Sequence, residues 1–206
     1  MTEDKYNARA ERWSEIAYAD AATYLAHRGE LVLKLGPPLA HGDAVLDLAC
    51  GDAGAADYLP GVRYSGLDAS AEMVKAGRGR GRNVVLGDLN DYEPPEPVAV
   101  TTCFRALYYA GDRAAFFRRV AGYTERKFVF DLNPRQYGVE DVCADLRAAG
   151  FDRLELRPFF SPQHVSLPRP VASVLYAFEG SGPLARLLLA VRFSYLCAAF
   201  RGGKNT

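Results

Sequence analysis

The sequence contains few of the residues that build metal sites and disulfide frameworks. It has three histidines and four cysteines among 206 residues. The cysteines are separated from one another by 40 residues or more, which fits neither a CxxC pair nor a zinc-ligand cluster: Cys50, Cys103, Cys143 and Cys197. No cluster of His, Asp and Glu has metal-ligand spacing either. We therefore expect core thiols and no bound metal.

The chain also has no net charge, with 25 basic and 25 acidic side chains. Balanced charge argues against general electrostatic attraction to nucleic acid, so nucleic acid is not an expected partner. The first residues, MTEDKYNARAERW, are charged where a signal peptide has its apolar segment, which favours a cytoplasmic protein. The length and the 49% share of hydrophobic residues predict one domain whose core needs no disulfide or metal.

The carboxyl-terminal part of the chain differs from the rest. Residues 1–150 hold 18 basic and 22 acidic side chains, whereas residues 151–206 hold 7 and 3. Pro183–Phe200 is predicted to form an apolar helix, and its length and two internal arginines make it a poor membrane span. We expect this helix to cover the sheet, to form a homodimer surface, or to make weak contact with lipid or a hydrophobic substrate. Monomer and homodimer both stay open.

Segments that predict strands alternate with segments that predict helices. One or two helices are expected first, between Asp4 and Leu35. Predicted strands follow at Ala44–Ala49, Arg63–Leu67, Asn83–Leu86, Val98–Phe104 and Lys127–Leu132. Predicted helices lie between them at Ala53–Leu59, Ser70–Gly77, Asp112–Thr124 and Val139–Ala149. Such alternation implies a parallel sheet with helices on both faces.

The alternation ends after Gly150. Asp152–Phe159 and Ala172–Glu179 are both predicted strands, and the proline-rich link Ser161–Pro170 between them has no helical pattern. We expect these two segments to pair antiparallel. The predicted fold is α/β: a doubly wound, mostly parallel seven-stranded sheet with an antiparallel last strand. Its predicted parts are a helical cap at 1–40, a core at 41–180, and a tail with an extra helix at 181–206.

A turn of small residues follows the first predicted strand. The run Val45–Gly54 joins that strand to a helix start, and small side chains there allow a ligand to approach the backbone. Asp68 ends the second strand, 21 residues after Asp47, where a doubly wound sheet presents a carboxylate to ribose hydroxyls. Asp88 ends the third strand. Three acids at the carboxyl edge of one sheet predict a nucleotide-type site.

These motifs resemble those of the class I S-adenosylmethionine-dependent methyltransferases. The likeness is carried by DLACGDAG, GLDASAEMV and LGDLNDY and covers about residues 43–179. It implies S-adenosylmethionine as cofactor, with its ribose hydroxyls on Asp68. The cofactor contacts that it implies are Asp47, Ala49, Gly51, Asp68, Ala69, Met73, Asp88, Leu89 and Phe104. The family motif usually has glycine at the positions of Ala49 and Ala53.

Two other classes of protein are alternative interpretations of these motifs. A nicotinamide-binding turn requires G-x-G-x-x-G, but the corresponding residues here are Gly51, Ala53 and Ala56, so only one of the three is glycine. A nucleic-acid methyltransferase is opposed by the balanced charge, and the segment 131–134, DLNP, only distantly resembles the motif of such enzymes. A methyltransferase that acts on a small, aromatic or lipophilic acceptor is the favoured hypothesis. The alternative is a non-catalytic partner subunit that binds the cofactor.

The reacting groups follow less directly from the sequence. Methyl transfer from a sulfonium is a displacement in which the protein mainly aligns the reactants, so a catalytic base is optional. Tyr108, after the fourth strand, and His164, in the proline-rich link, are the candidate catalytic residues. Arg105 is expected either to meet an acidic substrate or to pair with Asp131.

The resemblance also concerns the amino-terminal helical segment. In the family this segment closes over the cofactor. The resemblance therefore implies that Tyr6 or Tyr18 contacts the carboxylate end of the cofactor, although packing within an amphipathic helix would explain either residue equally well.

Overall fold

A seven-stranded sheet forms the centre of the computed structural model, which describes residues 13–182, 185 and 194–202. The strands are β1 (Ala44–Leu48), β2 (Arg63–Asp68), β3 (Val84–Leu86), β4 (Val98–Cys103), β5 (Thr124–Leu132), β6 (Arg153–Phe159) and β7 (Ser194–Phe200). Their spatial order is β3-β2-β1-β4-β5-β7-β6. Strand β7 runs antiparallel to β5 and β6, and the remaining neighbours are parallel. The predicted doubly wound sheet with an antiparallel last strand is confirmed.

Six α-helices are described, together with two short 3₁₀ helices at Gly54–Tyr58 and Leu107–Tyr109. The α-helices are α1 (Trp13–Ala17), α2 (Ala21–Lys34), α3 (Ala71–Gly79), α4 (Arg113–Tyr123), α5 (Val139–Ala148) and α6 (Arg169–Glu179). Asp20, Ser70 and Asp112 begin three of them by accepting a hydrogen bond from the backbone N–H three residues later, as good helix caps do. None of the helices in the described ranges is long and apolar enough to cross a bilayer.

Both faces of the sheet are covered by helices. On one face, Phe116 and Phe117 of α4 pack on Phe128 and Phe130 of β5, and α5 joins the same cluster. On the other face, α2 packs on β1, β4 and β5. Each such buried side chain stabilises the fold by roughly 1.5–3 kcal/mol. The prediction of helices on both faces is confirmed, and the helix predicted at Ala53–Leu59 is the short 3₁₀ helix.

The strand predicted at Ala172–Glu179 is wrong, because these residues belong to α6. Pro170 stands in the first turn of α6, where its fixed φ angle suits a helix start. Ala172 and Glu179 are buried on the inner side, while Val171 and Val174 are exposed. The apolar run is thus one face of an amphipathic helix and not a strand.

The helix predicted at Pro183–Phe200 is wrong for its last seven residues, which form β7. Strand β7 lies between β5 and β6 and pairs along both edges. A strand covered on both faces has a continuous apolar run, which the periodicity of the sequence does not distinguish from a buried helix. The antiparallel partner of β6 is therefore β7, and the core sheet continues to residue 200. Residues 183–184 and 186–193 lie outside the described residues.

The strand order places a crevice at one edge of the sheet. From β1 the chain moves outward to β2 and β3, then returns to the other side of β1 as β4. Strands β1 and β4 pair up to Leu48 and Cys103, after which their loops diverge to opposite sides. Open α/β sheets bind ligands outside the carboxyl ends of the strands at such a reversal.

Candidate functional site

A cavity of about 320 Å³ lies in this crevice. Its walls come from the loops after β1, β2, β3 and β4 and from the α1–α2 segment. The cavity is lined by all the residues that the resemblance assigns to the cofactor: Asp47, Ala49, Gly51, Asp68, Ala69, Met73, Asp88, Leu89 and Phe104. The fold brings these residues together, and their roles stay predictions.

The loop after β1 follows a left-handed backbone path. Ala49, Gly51 and Ala53 have φ angles of 54°, 60° and 57°. This region disfavours residues with a Cβ by roughly 1–2 kcal/mol, which explains the family preference for glycine at the two alanine positions. The two alanines nevertheless adopt the glycine-type conformation. The departure from the family motif leaves the shape of the loop intact at some cost in stability.

Asp68 holds the loops after β1 and β2 together. Its carboxylate accepts hydrogen bonds from the backbone N–H of Gly51 at 2.8 Å and of Ser70 at 2.9 Å. A carboxylate offers about four acceptor positions, so the positions that the backbone does not use are available to a vicinal diol. Burial raises the pKa of Asp68 above its ordinary value.

Asp47 is fixed more deeply, between β2 and β4. Its side chain is buried and accepts from the hydroxyl of Thr102 at 2.6 Å and from that of Tyr64 at 2.8 Å. Burial raises the pKa of Asp47. Asp47 is therefore a fixed, buried carboxyl group beneath the loop after β1.

Asp88 and Asn90 shape the end of the cavity beside β3. Asp88 accepts from the backbone N–H of Asn90 at 2.8 Å and from its side-chain amide at 2.7 Å. The Asn90 amide also donates to the carbonyl of Tyr109 at 3.0 Å. This links the β3 loop to the segment after β4. Asn90 lines the cavity and was not among the predicted site residues.

Helix α1 closes over the loop after β1. The Ser14 hydroxyl donates to Asp52 at 2.5 Å, and the Asp52 carboxylate also pairs with Arg80 at 3.2 Å. The ring of Trp13 lies so near Gly51 that a Cβ there would stand 3.0 Å from it. The helical segment thus covers the cavity, whereas Tyr6 lies outside the described residues.

Arg28 of α2 is a cavity residue that the sequence reasoning missed. Its side chain is only 4% exposed and donates to the hydroxyls of Tyr24 at 2.8 Å and Tyr18 at 3.5 Å. The guanidinium carbon lies 4.4 Å from the ring centre of Phe104. Burial opposes the charge, but Tyr24, Tyr18 and Asp131 raise the pKa of Arg28. Arg28 is therefore a permanent buried cation. The one feature of the sequence that indicates its hydrogen bonding is Tyr24, which lies four residues earlier on the same face of α2.

A second cavity of about 570 Å³ adjoins the first and shares Arg105, Ala106 and Tyr108 with it. The loop after β5 contributes Arg135 and Tyr137, and the link after β6 contributes His164. The candidates Tyr108 and His164 thus line the same cavity. Both side chains are exposed.

Arg105 stands where the two cavities meet. Its φ angle is 54°, a strained value for a residue with a Cβ. The backbone N–H of Arg105 donates to the Asp131 carboxylate at 2.6 Å, and its guanidinium carbon lies 5.8 Å from the ring centre of Tyr18. The contact to Asp131 is thus made by the backbone, and the side chain lines both cavities.

The cysteines do not form a metal site in the described part of the chain. All four are free, with Cys103 and Cys197 buried and Cys50 and Cys143 partly so. Within the described part of the chain, no group of three or more His, Cys, Asp and Glu side chains could hold a metal ion. Cys50 lines the first cavity, where burial raises the pKa of its thiol well above the ordinary value. That thiol is therefore not an activated nucleophile.

Comparison with curated proteins identifies methyltransferases as relatives. No protein-family model matches the chain. The trans-aconitate 2-methyltransferase of Mycobacterium tuberculosis (strain ATCC 25177 / H37Ra) is 34% identical over 106 residues, which cover 46% of this chain and 40% of that protein. The chain therefore spans about two fifths of the length of the curated relatives that it matches.

Solved structures extend the similarity to the whole chain. The complex between the Haloferax volcanii Trm112 methyltransferase activator and a methyltransferase contains a chain with a TM-score of 0.67 and 19% identity, over 100% of both chains. The fold is that of the class I S-adenosylmethionine-dependent methyltransferases. A phosphoethanolamine N-methyltransferase 2 of Haemonchus contortus in complex with S-adenosyl-L-methionine also shares it, with a TM-score of 0.62 and 14% identity over 96% of this chain and 60% of that one.

Proposed function

We propose that this protein binds S-adenosylmethionine in the first cavity and transfers its methyl group to a small acceptor in the second. The observation that carries the proposal is the convergence of Asp68, Asp88 and the loop after β1 on one cavity that adjoins another. A nucleotide-type cofactor needs acceptors for its diol and its amino group. The family resemblance and the methyltransferase relatives support the same reading.

The residues of the first cavity fit the polar groups of the cofactor. In the proposal, the free acceptor positions of Asp68 receive the two ribose hydroxyls, and Asp88 with Leu89 borders the adenine. When bound, S-adenosylmethionine supplies the electrophilic methyl group and the leaving group. The protein orients the reactants, and α1, through Ser14 and Trp13, excludes water from the loop after β1. Positioning of this kind contributes up to about 7–11 kcal/mol to a displacement.

Tyr108 and His164 are proposed to act at the acceptor. The phenol of Tyr108 lines both cavities, so it is suited to orient an acceptor hydroxyl or amine by hydrogen bonding. His164 lines only the second cavity, where its imidazole would accept the proton that such an acceptor releases. Both residues would therefore act at the acceptor side of the reaction, and His164, which lines only the second cavity, would leave cofactor binding unchanged.

For the acceptor we propose a small molecule with an aromatic or lipophilic body and an acidic group. The rings of Tyr108 and Tyr137 in the second cavity suit an apolar body, and Arg105 and Arg135 suit a carboxylate. An acidic substrate is one of the two expectations for Arg105 from the sequence, and Arg135 in the same cavity supports it. Because the mycobacterial relatives are trans-aconitate 2-methyltransferases, trans-aconitate is the first acceptor to test.

The experiment follows transfer of a labelled methyl group from S-adenosylmethionine. The acceptor panel contains trans-aconitate, small aromatic carboxylic acids and the neutral amides of the same compounds. We expect label in the acids and much less in the amides, and at least a tenfold lower rate for Arg105→Met. Equal labelling of acids and amides would contradict the acidic acceptor. Cofactor binding without transfer to any acceptor would favour the alternative of a non-catalytic partner subunit.

A further inference from the structure

Arg105 has a strained backbone conformation just beyond the end of β4. Its φ angle is 54°, in the left-handed region that a residue with a Cβ disfavours. The pairing of β4 with β5 ends at Cys103 and Phe130, two residues before Arg105 and one before Asp131. At this point the carboxylate of Asp131 accepts a hydrogen bond from the backbone N–H of Arg105 at 2.6 Å. A side chain thus satisfies a backbone donor that the strand pair no longer serves.

The hydrogen bond to Asp131 is strong enough to hold this conformation. A hydrogen bond to an ionised acceptor is roughly twice as strong as one between neutral groups. Its free energy is of the same order as the cost of a left-handed backbone for a residue with a Cβ. Asp131 itself is held firmly, because its backbone belongs to β5 and pairs with Leu196 of β7. Without this acceptor, Arg105 would relax out of the left-handed region.

The charge of Asp131 does not oppose an acidic acceptor. Asp131 lines the second cavity together with Arg105. Burial raises the pKa of Asp131, whereas the positive charges of Arg28 and Arg105 oppose this rise. The two guanidinium groups outweigh the single carboxylate, so the boundary between the cavities keeps a net positive charge. The acidic side chain can therefore support Arg105 from behind without repelling an anion.

We propose that Asp131 is a positioning residue that fixes the direction of the Arg105 side chain and thereby selects acidic acceptors. The inference rests on the proposed function, because it takes Arg105 as the group that binds the acceptor carboxylate. The rotamers open to a side chain depend on its backbone angles, so Arg105 with a different φ would direct its guanidinium away from the junction of the cavities. A carboxylate far from the methyl group is bound alike in the ground state and the transition state. Loss of the positioning should therefore raise KM and leave kcat nearly unchanged.

Methylation kinetics with two matched acceptors test this role. One acceptor is the carboxylic acid of the panel that the wild type methylates fastest, and the other is its neutral amide. With saturating cofactor, we expect Asp131→Ala to raise KM for the acid about 10- to 50-fold and for the amide less than about threefold, with kcat nearly unchanged. Asp131→Asn keeps an oxygen that can accept from the same N–H. Its KM for the acid should stay within about fivefold of the wild-type value.

A double-mutant cycle shows whether Asp131 acts through Arg105. In the background of Arg105→Met, which lacks the guanidinium, Asp131→Ala should change KM for the acid less than about threefold. Asp131→Glu keeps the charge but moves the carboxylate by one methylene group. A positioning role predicts that Asp131→Glu loses the preference for the acid, and this variant serves the same purpose if Asp131→Ala does not fold.

Asp43 provides the matched control. Its carboxylate also accepts a hydrogen bond from a backbone N–H at 2.6 Å, that of Ala40, but it lines neither cavity. Asp43→Ala should therefore leave KM and kcat for both acceptors unchanged.

The outcomes separate the failure of this inference from the failure of the proposed function. Equal methylation of acid and amide by the wild type, or methylation of neither, would overturn the acidic acceptor and the positioning role with it. If the wild type prefers the acid, an unchanged KM in Asp131→Ala and Asp131→Glu would overturn the positioning role alone. So would equal losses for acid and amide, or an effect of Asp131→Ala that persists in full beside Arg105→Met.

Discussion

Replacement of Asp68 by asparagine tests whether one carboxylate both holds the loops and binds the ribose. The Asp68 carboxylate accepts from the backbone N–H of Gly51 at 2.8 Å with one oxygen and from that of Ser70 at 2.9 Å with the other. In Asp68→Asn an amide nitrogen replaces one of these oxygens, so one of the two backbone donors loses its acceptor. A hydrogen bond to a charged group contributes roughly 1.5–3 kcal/mol, and the abandoned donor adds a desolvation cost. We expect the free energy of unfolding to fall by about 2–4 kcal/mol. For a chain of this length the melting temperature should fall by roughly 5–15 °C.

The same variant should bind S-adenosylhomocysteine about 10- to 100-fold more weakly, because the diol loses an ionised acceptor. Thermal melting without ligand measures the first effect, and calorimetric titration measures the second. Asp88→Asn is the matched control, since Asp88 is exposed and bonds within its own loop to Asn90, so its melting temperature should change little. A variant Asp68→Asn with wild-type melting and wild-type affinity would refute the reasoning.

Two further predictions concern the fold that carries the site. Burial lowers the pKa of Lys127 from 10.5 to about 8, and its ammonium donates to the carbonyl of Leu35 at 2.5 Å. The folded state then binds fewer protons than the unfolded state between about pH 8 and 10.5, so the free energy of unfolding should rise across that window by up to ~3 kcal/mol relative to Lys127→Met. Urea unfolding of both proteins at pH 7.5 and 10.5 measures this, and parallel changes would contradict it. In Gly29→Ala the new Cβ would stand 2.5 Å from the backbone oxygen of Tyr58, so α2 must shift and the free energy of unfolding should fall by ~2 kcal/mol. Gly122→Ala is the control, because a Cβ there meets open space and should not destabilise the fold. Similar unfolding curves for the two alanine variants would contradict this expectation.

The amino-terminal two thirds of the sheet could be predicted because local signals agree there. Runs such as Val45–Leu48 and Val98–Cys103 are apolar and end in motif residues, and helix caps such as Ser70 and Asp112 mark the next elements. The acids at strand ends then converge by topology alone. For this reason the predicted cofactor residues line one cavity, although their sequence positions extend from Asp47 to Phe104.

The carboxyl-terminal third could not be predicted in the same way, because its apolar runs lack a decisive period. The residues of β7 are buried by neighbours on both edges, which depends on strands far away in the sequence. Helix α6 is held by long-range contacts as well: Glu179 binds His27 of α2 at 2.9 Å and accepts from the N–H of Phe160 at 2.7 Å. These partners are distant along the chain, so the local sequence pattern around α6 does not indicate them.

Arg28 escaped prediction for a related reason. One arginine on an amphipathic helix is ordinarily a solvent-facing residue. Its burial follows from the packing of α2 beside Phe104 and from Tyr18, which the loop before α2 brings back to it. Only the tertiary structure combines these groups into a cationic end of the cavity.

Calorimetric titration of the wild-type protein with S-adenosylhomocysteine tests the central claim most directly. We expect saturable binding of one ligand per chain, accompanied by a higher melting temperature, since a ligand that binds the folded state stabilises it. Loss of that binding in Asp68→Asn would assign it to the described cavity. Absence of heat and of any melting shift at millimolar ligand would contradict the proposal that this fold binds the cofactor.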